Sequence, residues 1–401
     1  MAILNTKYSK EYAEGQSLQA AHPCFEKTKC IMKKILFFLV LGTFLGCGGS
    51  DDNSPQPTDT FDRKAMLTNW SENIIQPGLA ANVAGLTALE AAASTFNDTP
   101  GLQQLEAVQT AFADAYREWQ RIAMFEIGKA EELALINRMN LYPTDVAGIE
   151  ANITDGGYNL ELPSQRTRQG LPAVDYLLFG LGEDNTTILS VYTDADNGAA
   201  YRSYLLDLCT EMKSLLEAVQ ADWAGGYDAT FVENDGNSAT ASTDRLVNDF
   251  IFYYEKHLRA GKIGIPAGVF SGGELPNNVE ALYAKNLARE LALISLSAAQ
   301  DFFLGLSYTD RTANGPGLST YLDELEVMKD NSLLSAVITD QFELARTEIE
   351  ELSENLAEQV NTNNIAMLEA YDALQINVVN LKVDMLQSLN INVDYVDADG
   401  D

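Results

Sequence analysis

Six residues near the C-terminus, Met367, Tyr371, Leu374, Val378, Leu381 and Met385, recur every three or four positions. That spacing places them on one face of an α-helix and commits the segment to burying that face. The segment before it repeats the pattern with Leu334, Ile338, Phe342, Ala345, Ile349, Leu352 and Leu356. Leu287, Leu291, Ile294, Ala298 and Phe302 trace a third stripe, and the stretches Leu102 to Phe125 and Tyr201 to Trp223 read as helical too. Period-two alternation is scarce. The spacing therefore predicts an all-α fold built from long helices, as in bundles. About 340 foldable residues exceed what one helical core usually serves, so two packed helical bundles are expected.

Local signals punctuate the helices. Thr99 and Pro100 fit an N-cap followed by Pro at the first helical position, and Pro276 fits the opening of the helix that runs towards Leu287. The polar stretch Gly225 to Thr243, rich in Gly and Asp, is the expected boundary between bundles at 61–235 and 236–401.

The N-terminal end is organised differently. Lys33 and Lys34 precede the apolar run Ile35 to Leu45, and Gly46 stands directly before Cys47. A charged segment, a short apolar core and a small residue at the cut make an export signal. The run is too short to span a bilayer as a mature helix. With a cysteine at the cut, the order predicts a bacterial lipoprotein: residues 32–46 removed, Cys47 acylated, and 47–60 a flexible tether. Residues 1–31 fit neither signal nor domain and read as a misassigned extension upstream of Met32. Ser50, Asp51 and Asp52 behind the anchor resemble acidic surface-export tags. The expected location is the cell envelope, lipid-anchored at the outer membrane and extending to the cell surface. The membrane is then a partner through Cys47.

Composition narrows the chemistry. The chain holds 26 Lys+Arg against 58 Asp+Glu, a net charge of -32. A body this acidic is repelled by phosphate backbones, which argues against nucleic acid as a partner. Cleavage before Cys47 removes His22, Cys24 and Cys30, leaving His257 and the thiol of Cys209. No intrachain disulfide is then available. His-Glu-x-x-His, Gly-x-Ser-x-Gly and Cys-x-x-Cys are all missing from the sequence, so zincin chemistry is excluded. The terminal Asp397 to Asp401 stretch is rich in Asp but lacks the frame of a calcium loop.

Three segments stand out. The first runs from Arg168 to Gly180: Gly170 breaks the chain, Pro172 suits a first helical turn, and Asp175 follows one turn in, where the helix dipole favours an acid. The second joins Trp119–Ala130, with Glu126, to Asn137–Asp145, with Asn140 and Asp145. The third, Tyr253 to Gly268, gathers Lys256, His257, Arg259 and Lys262 in a strongly acidic chain, and Gly261, Gly264 and Gly268 follow as helix breakers. Cations at a helix C-terminus are ordinary dipole compensation. Equally, they offer counter-charges for Glu126, Asp145 and Asp175. On that argument Arg259 or Lys262 is expected to ion-pair with one of those three acids.

Together these segments resemble the imelysin family of bacterial envelope proteins, linked to iron uptake and founded on a described peptidase. The Gly170 to Gly180 run is similar to the family's Gly-x-His-x-x-Glu helix: Gly170 matches, Pro172 stands at the His position and Asp175 at the Glu position. Lys262 to Gly268 is similar to its Gly-Lys-x-Gly-x-Pro-x-Gly motif, and Trp119–Ala130 and Asn137–Asp145 to two further family segments. The resemblance covers about residues 65–401. It implies two helical bundles with the motif at their interface. It further implies an association with iron or haem acquisition and with iron/haem uptake proteins. Proline supplies no nitrogen ligand, so the departure at Pro172 weakens inherited metal binding and peptidase activity. Asp175 and Glu126 are the remaining metal candidates, for iron or another divalent cation. The expected function is a non-enzymatic binding lipoprotein, ahead of a metallopeptidase and of a surface adhesin or scaffold. Its expected cleft is lined by Glu126, Asn140, Asp145, Gly170, Pro172, Asp175, His257, Arg259 and Lys262.

Overall fold

A computed structural model describes residues 60–395. The expected signal segment, Cys47, most of the expected tether and the Asp397–Asp401 stretch lie outside the described residues. The order of elements is almost purely helical. The first half holds α1 (Arg63–Asn69), α2 (Gln76–Asp98), α3 (Leu102–Gln120), α4 (Lys129–Leu133) and α5 (Leu135–Met139). It continues with α6 (Val146–Asp155), α7 (Gly170–Asp175), α8 (Asn185–Tyr192), α9 (Gly198–Asp222) and α10 (Asp228–Glu233). The second half holds α11 (Ser242–Phe252), α12 (Ala288–Leu304), α13 (Leu318–Glu324), α14 (Leu334–Glu350), α15 (Leu356–Thr362), α16 (Asn364–Val379) and α17 (Leu386–Leu389). Among the described residues the strands are a two-residue antiparallel pair, Met328–Lys329 with Ser332–Leu333.

Two bundles follow from the apolar stripes. In the first, α2 packs along both α3 and α9. In the second, α14 packs on α12 and on α16, and α16 lies against the Tyr253–Gly264 helix. Every residue of the Leu334–Leu356 stripe is buried, as is the Met367–Met385 stripe apart from half-buried Tyr371. The third stripe is rotated: Ile294 and Ala298 are half-buried while Ala292, Ser295 and Ala299 face inwards. Small residues win that face because α12 lies close to α3 across the bundle junction. Phe302 of α12 is an aromatic hub there, meeting Trp70 at 4.7 Å, Phe250 at 5.2 Å and Phe125 at 5.6 Å between ring centroids. The segment from Phe61 to Trp70 thus packs on the second half. Phe61 stacks on Tyr321 at 4.1 Å, and the Asn69 side-chain amide donates to the Gly305 and Pro316 carbonyls, each at 3.0 Å.

Several local expectations are corrected. Thr99 closes α2 rather than opening α3, which starts after Gly101. The Gly225–Thr243 stretch contains α10. Pro276 opens a single 3-10 turn, Pro276–Asn278, and the next long helix waits until Ala288. Gly261 does not break its helix, which continues with wide i to i+5 turns from Tyr253 to Gly264. Such π-type turns are often found at functional sites. Among the described residues no helix is long and apolar enough to cross a membrane.

Candidate functional site

α7 is placed by one glycine. Gly170 has φ +76, and a Cβ there would lie 2.4 Å from the Met139 carbonyl oxygen. Only glycine tolerates both the left-handed backbone and that approach. The turn sets Pro172 in the first turn of α7 and Asp175 at its end. Both line a cavity of about 490 Å³, together with Tyr142, Pro143, Tyr283 and Lys285.

Asp175 faces the loop after Pro276 rather than solvent. Its Oδ2 accepts from the Tyr283 N–H at 2.9 Å and its Oδ1 from the Ala284 N–H at 2.7 Å. Burial pushes its pKa up to about 7 against the pull of those two donors, with the Glu280 charge adding to the rise. The carboxylate clamps the 277–285 segment over α7 and so shapes the cavity wall.

Beneath this wall lies a buried polar network drawn from both bundles. The Lys262 ammonium pairs with Glu280, and the two side chains are 3% and 2% exposed. Lys262 also donates to Gln120 Oε1 at 2.8 Å. Glu280 Oε1 accepts from Gln120 Nε2 at 3.0 Å and from Asn140 Nδ2 at 2.6 Å. Tyr116 OH donates to Asn140 Oδ1 at 2.7 Å, Ser295 Oγ to Gln120 Oε1 at 2.8 Å, and Tyr253 OH to Ser295 Oγ at 3.1 Å. Burial lowers the Lys262 pKa, partly offset by Glu280. Burial and then the Glu280 charge hold Tyr116 and Tyr142 well above the ordinary phenol value.

The structure brings Gly170, Pro172, Asp175, Asn140 and Lys262 to one region and disperses the other expected residues. Asp145 caps α6 by accepting from the Gly148 N–H at 3.0 Å and pairs with Arg168 at 2.9 Å. Glu126 and His257 line a different cavity. Arg259 lies 3.6 Å from Glu255 and donates to Tyr371 OH at 3.0 Å and to Gln375.

The expected ion pair of Arg259 or Lys262 with Asp175, Glu126 or Asp145 is therefore corrected. Lys262 pairs with Glu280, and Arg259 with Glu255. Glu255 also takes Lys256 at 3.3 Å and Lys382 at 3.0 Å. The physical reason is proximity. Glu255 lies one turn before Arg259, and Glu280 returns on the loop directly over Lys262. Neither acid carries a motif. Glu280 had one weak signal, a lone carboxylate set inside the apolar run Val279–Leu282, where an acid is costly unless paired.

The donor set does not fit a resident metal. Pro172 has no ligating atom, and both Asp175 oxygens are engaged by backbone N–H groups. Among the described residues no three His, Cys, Asp or Glu side chains gather closely enough to hold an ion. The cavity presents two tyrosines, apolar side chains and the Lys285 ammonium.

Fold and site thus define a two-bundle helical protein with a cavity walled by α7 and a clamped loop. The chain belongs to the imelysin family, whose model matches residues 75–378. It is 26% identical over 166 residues to iron-regulated protein A of Synechococcus elongatus, a match covering 36% of this chain and 46% of that protein. The chain thus spans about half the length of this curated relative. Its fold is shared with a candidate iron-regulated protein A precursor from Parabacteroides distasonis, with TM-score 0.67 and 15% identity, over 83% of this chain and 96% of that one. It is shared equally with an imelysin-like protein from Psychrobacter arcticum, with TM-score 0.64 and 16% identity, over 83% of this chain and 97% of that one.

Proposed function

We propose that this protein is a non-enzymatic binding lipoprotein of the bacterial cell envelope that serves iron or haem acquisition. Its ligand is taken in the cavity walled by α7 and the 277–285 segment. Iron is cargo in this reading, carried as haem or as a chelate, not a resident cofactor. The observation that carries it is the state of the motif residues. Asp175 spends both oxygens on the Tyr283 and Ala284 N–H groups, and Pro172 replaces the ligand that a metal-bound water would need. What remains is a cavity with two tyrosines and one lysine, Lys285, which suit a flat or anionic ligand. The iron link rests on the names of the relatives, and the envelope location on the Lys33 to Cys47 segment.

The test uses mature protein purified without chelator. Haem and ferric citrate are titrated against it, with absorbance and elemental analysis as readouts. The same preparation is assayed for insulin and casein cleavage. Saturable haem or iron binding, weakened in Lys285→Glu and without proteolysis, is expected. Cleavage that disappears in Asp175→Ala would overturn the reading in favour of a metallopeptidase. Absence of both binding and cleavage would leave a scaffold or adhesin.

A further inference from the structure

A second cavity, of about 230 Å³, opens on another side of the same polar network. Tyr253 connects the two: its ring lines this cavity, and its hydroxyl reaches the network at Ser295. Glu126 enters from the turn after α3, Asp249 and Phe252 from α11, His257 from the wide-turned helix, and Asp394 and Tyr395 from the C-terminal segment.

The polar groups here are poorly matched to one another. Glu126 accepts backbone N–H groups, from Ile136 at 3.1 Å to Oε2 and 3.4 Å to Oε1 and from Leu135, but meets no basic side chain among the described residues. Among the described residues the Asp249 carboxylate has no hydrogen bond or ion pair, and the His257 imidazole has no hydrogen bond. That imidazole is held by rings, with centroids 5.6 Å from Phe252 and 5.8 Å from Tyr253. The Arg245 charge opposes the rise of Asp249 and Asp394 without forming an ion pair with either among the described residues. Arg245 is committed to Glu131, and Lys262 to Glu280.

Electrostatics agree with the geometry. Burial and then the Glu126 charge push Asp249 up to about 8, burial pushes Glu126 to about 7, and burial also raises Asp394. Burial and then Lys262 push His257 down to about 4, so at neutral pH it adds no positive charge. Carboxyls driven towards the neutral form in an aromatic hollow lack a cation.

We infer that this cavity is a binding site for a small organic cation, an alkylammonium or guanidinium head group, held between Glu126 and Asp249 against the Phe252 and Tyr253 rings. Aromatic faces favour organic cations. A metal ion is disfavoured because no three acidic, His or Cys side chains among the described residues converge closely enough. The volume lies below the roughly 300–1,000 Å³ of pockets that hold whole drug-sized ligands, so a head group is what fits. His257 forms part of the wall and not a base. This inference is independent of the proposed function, because it uses a different cavity.

Calorimetric titration of the full mature chain with methylguanidine and with n-butylamine at pH 8.5 tests it. Sodium acetate and manganese chloride serve as the anion and metal arms. Saturable binding of at least one organic cation is expected. Asp249→Asn should weaken it at least about tenfold. Asp98→Asn, on an exposed helix end, should leave it unchanged and so controls for general acidity. Phe252→Leu, at a partly exposed ring, gives a milder loss and keeps the test open if Asp249→Asn does not fold. Binding equal in all variants, no binding of either cation, or displacement of the cation by manganese would each overturn the proposal.

Discussion

Single residues carry most of the energetic tension in this molecule. Lys262 and Glu280 are both almost fully buried, and such a pair is worth little against an apolar replacement but a great deal against loss of one partner. Lys262→Met is expected to destabilise the fold by about 3–5 kcal/mol, because buried Glu280 loses its ammonium partner. The double variant Lys262→Met with Glu280→Gln should recover much of that loss. Urea unfolding of the four proteins in the cycle measures the coupling; additive losses would show that the pair does not act as a unit. Asp249 gives a second prediction. Its folded pKa of about 8 lies above the ordinary 3.8, so ionisation opposes folding. Its contribution is neutral below about pH 4, becomes progressively unfavourable as pH rises, and levels off above about pH 8. Asp249→Asn should therefore match the parent in thermal melts at pH 4 and exceed it at pH 8.5, by roughly 1–3 kcal/mol after allowance for partial exposure. The reverse pH trend would sink the assignment.

At the scale of elements, the informative pieces are the short ones. α7 is six residues long, too short to be stable alone, and it is held by Gly170 at one end and by the Asp175 clamp at the other. Gly170→Ala combines a positive φ with a Cβ 2.4 Å from the Met139 oxygen. It should cost at least about 2 kcal/mol and loosen the wall formed by Tyr283. Hydrogen exchange at the Tyr283 and Ala284 amides would report it; unchanged protection there would mean that α7 does not position the loop. The long helices were legible because a stripe of Leu, Ile and Phe at helical spacing has few alternative uses. Boundaries were less so. The Thr99-Pro100 cap gave way to Gly101, and Gly261 sits inside a wide-turned helix that runs on to Gly264, with Gly268 beyond its end. Local propensity is worth a few tenths of a kcal/mol per residue and yields to packing.

For the whole molecule the dominant feature is its net charge of -32, which stores self-repulsion in the compact state. The melting temperature is expected to rise as sodium chloride is increased from about 0.01 M to about 1 M, since screening shortens from about 30 Å to about 3 Å. A fall would mean that screened ion pairs outweigh the repulsion. The Lys33 to Cys47 segment, read as an export signal, makes a separate prediction: mass spectrometry of the native membrane fraction should find an acylated Cys47 as the N-terminal residue. A soluble chain with an unmodified Cys47 would refute the anchor.

The sequence by itself determined what depends on periodicity and residue chemistry: an all-α fold, long helices with defined inner faces, and Gly170, Pro172 and Asp175 as a unit. It also placed Lys262 and Asn140 among the residues of interest. Which acid meets which base was decided only by the tertiary structure. Glu255 and Glu280, not Asp175, Glu126 or Asp145, compensate the basic cluster. Glu126 and His257 were placed in a cavity apart from Asp175, beside an Asp249 that no motif marks. The reason is physical. Helical faces follow from spacing a few residues apart, whereas ion pairing falls off steeply with distances that only the packing of remote segments sets.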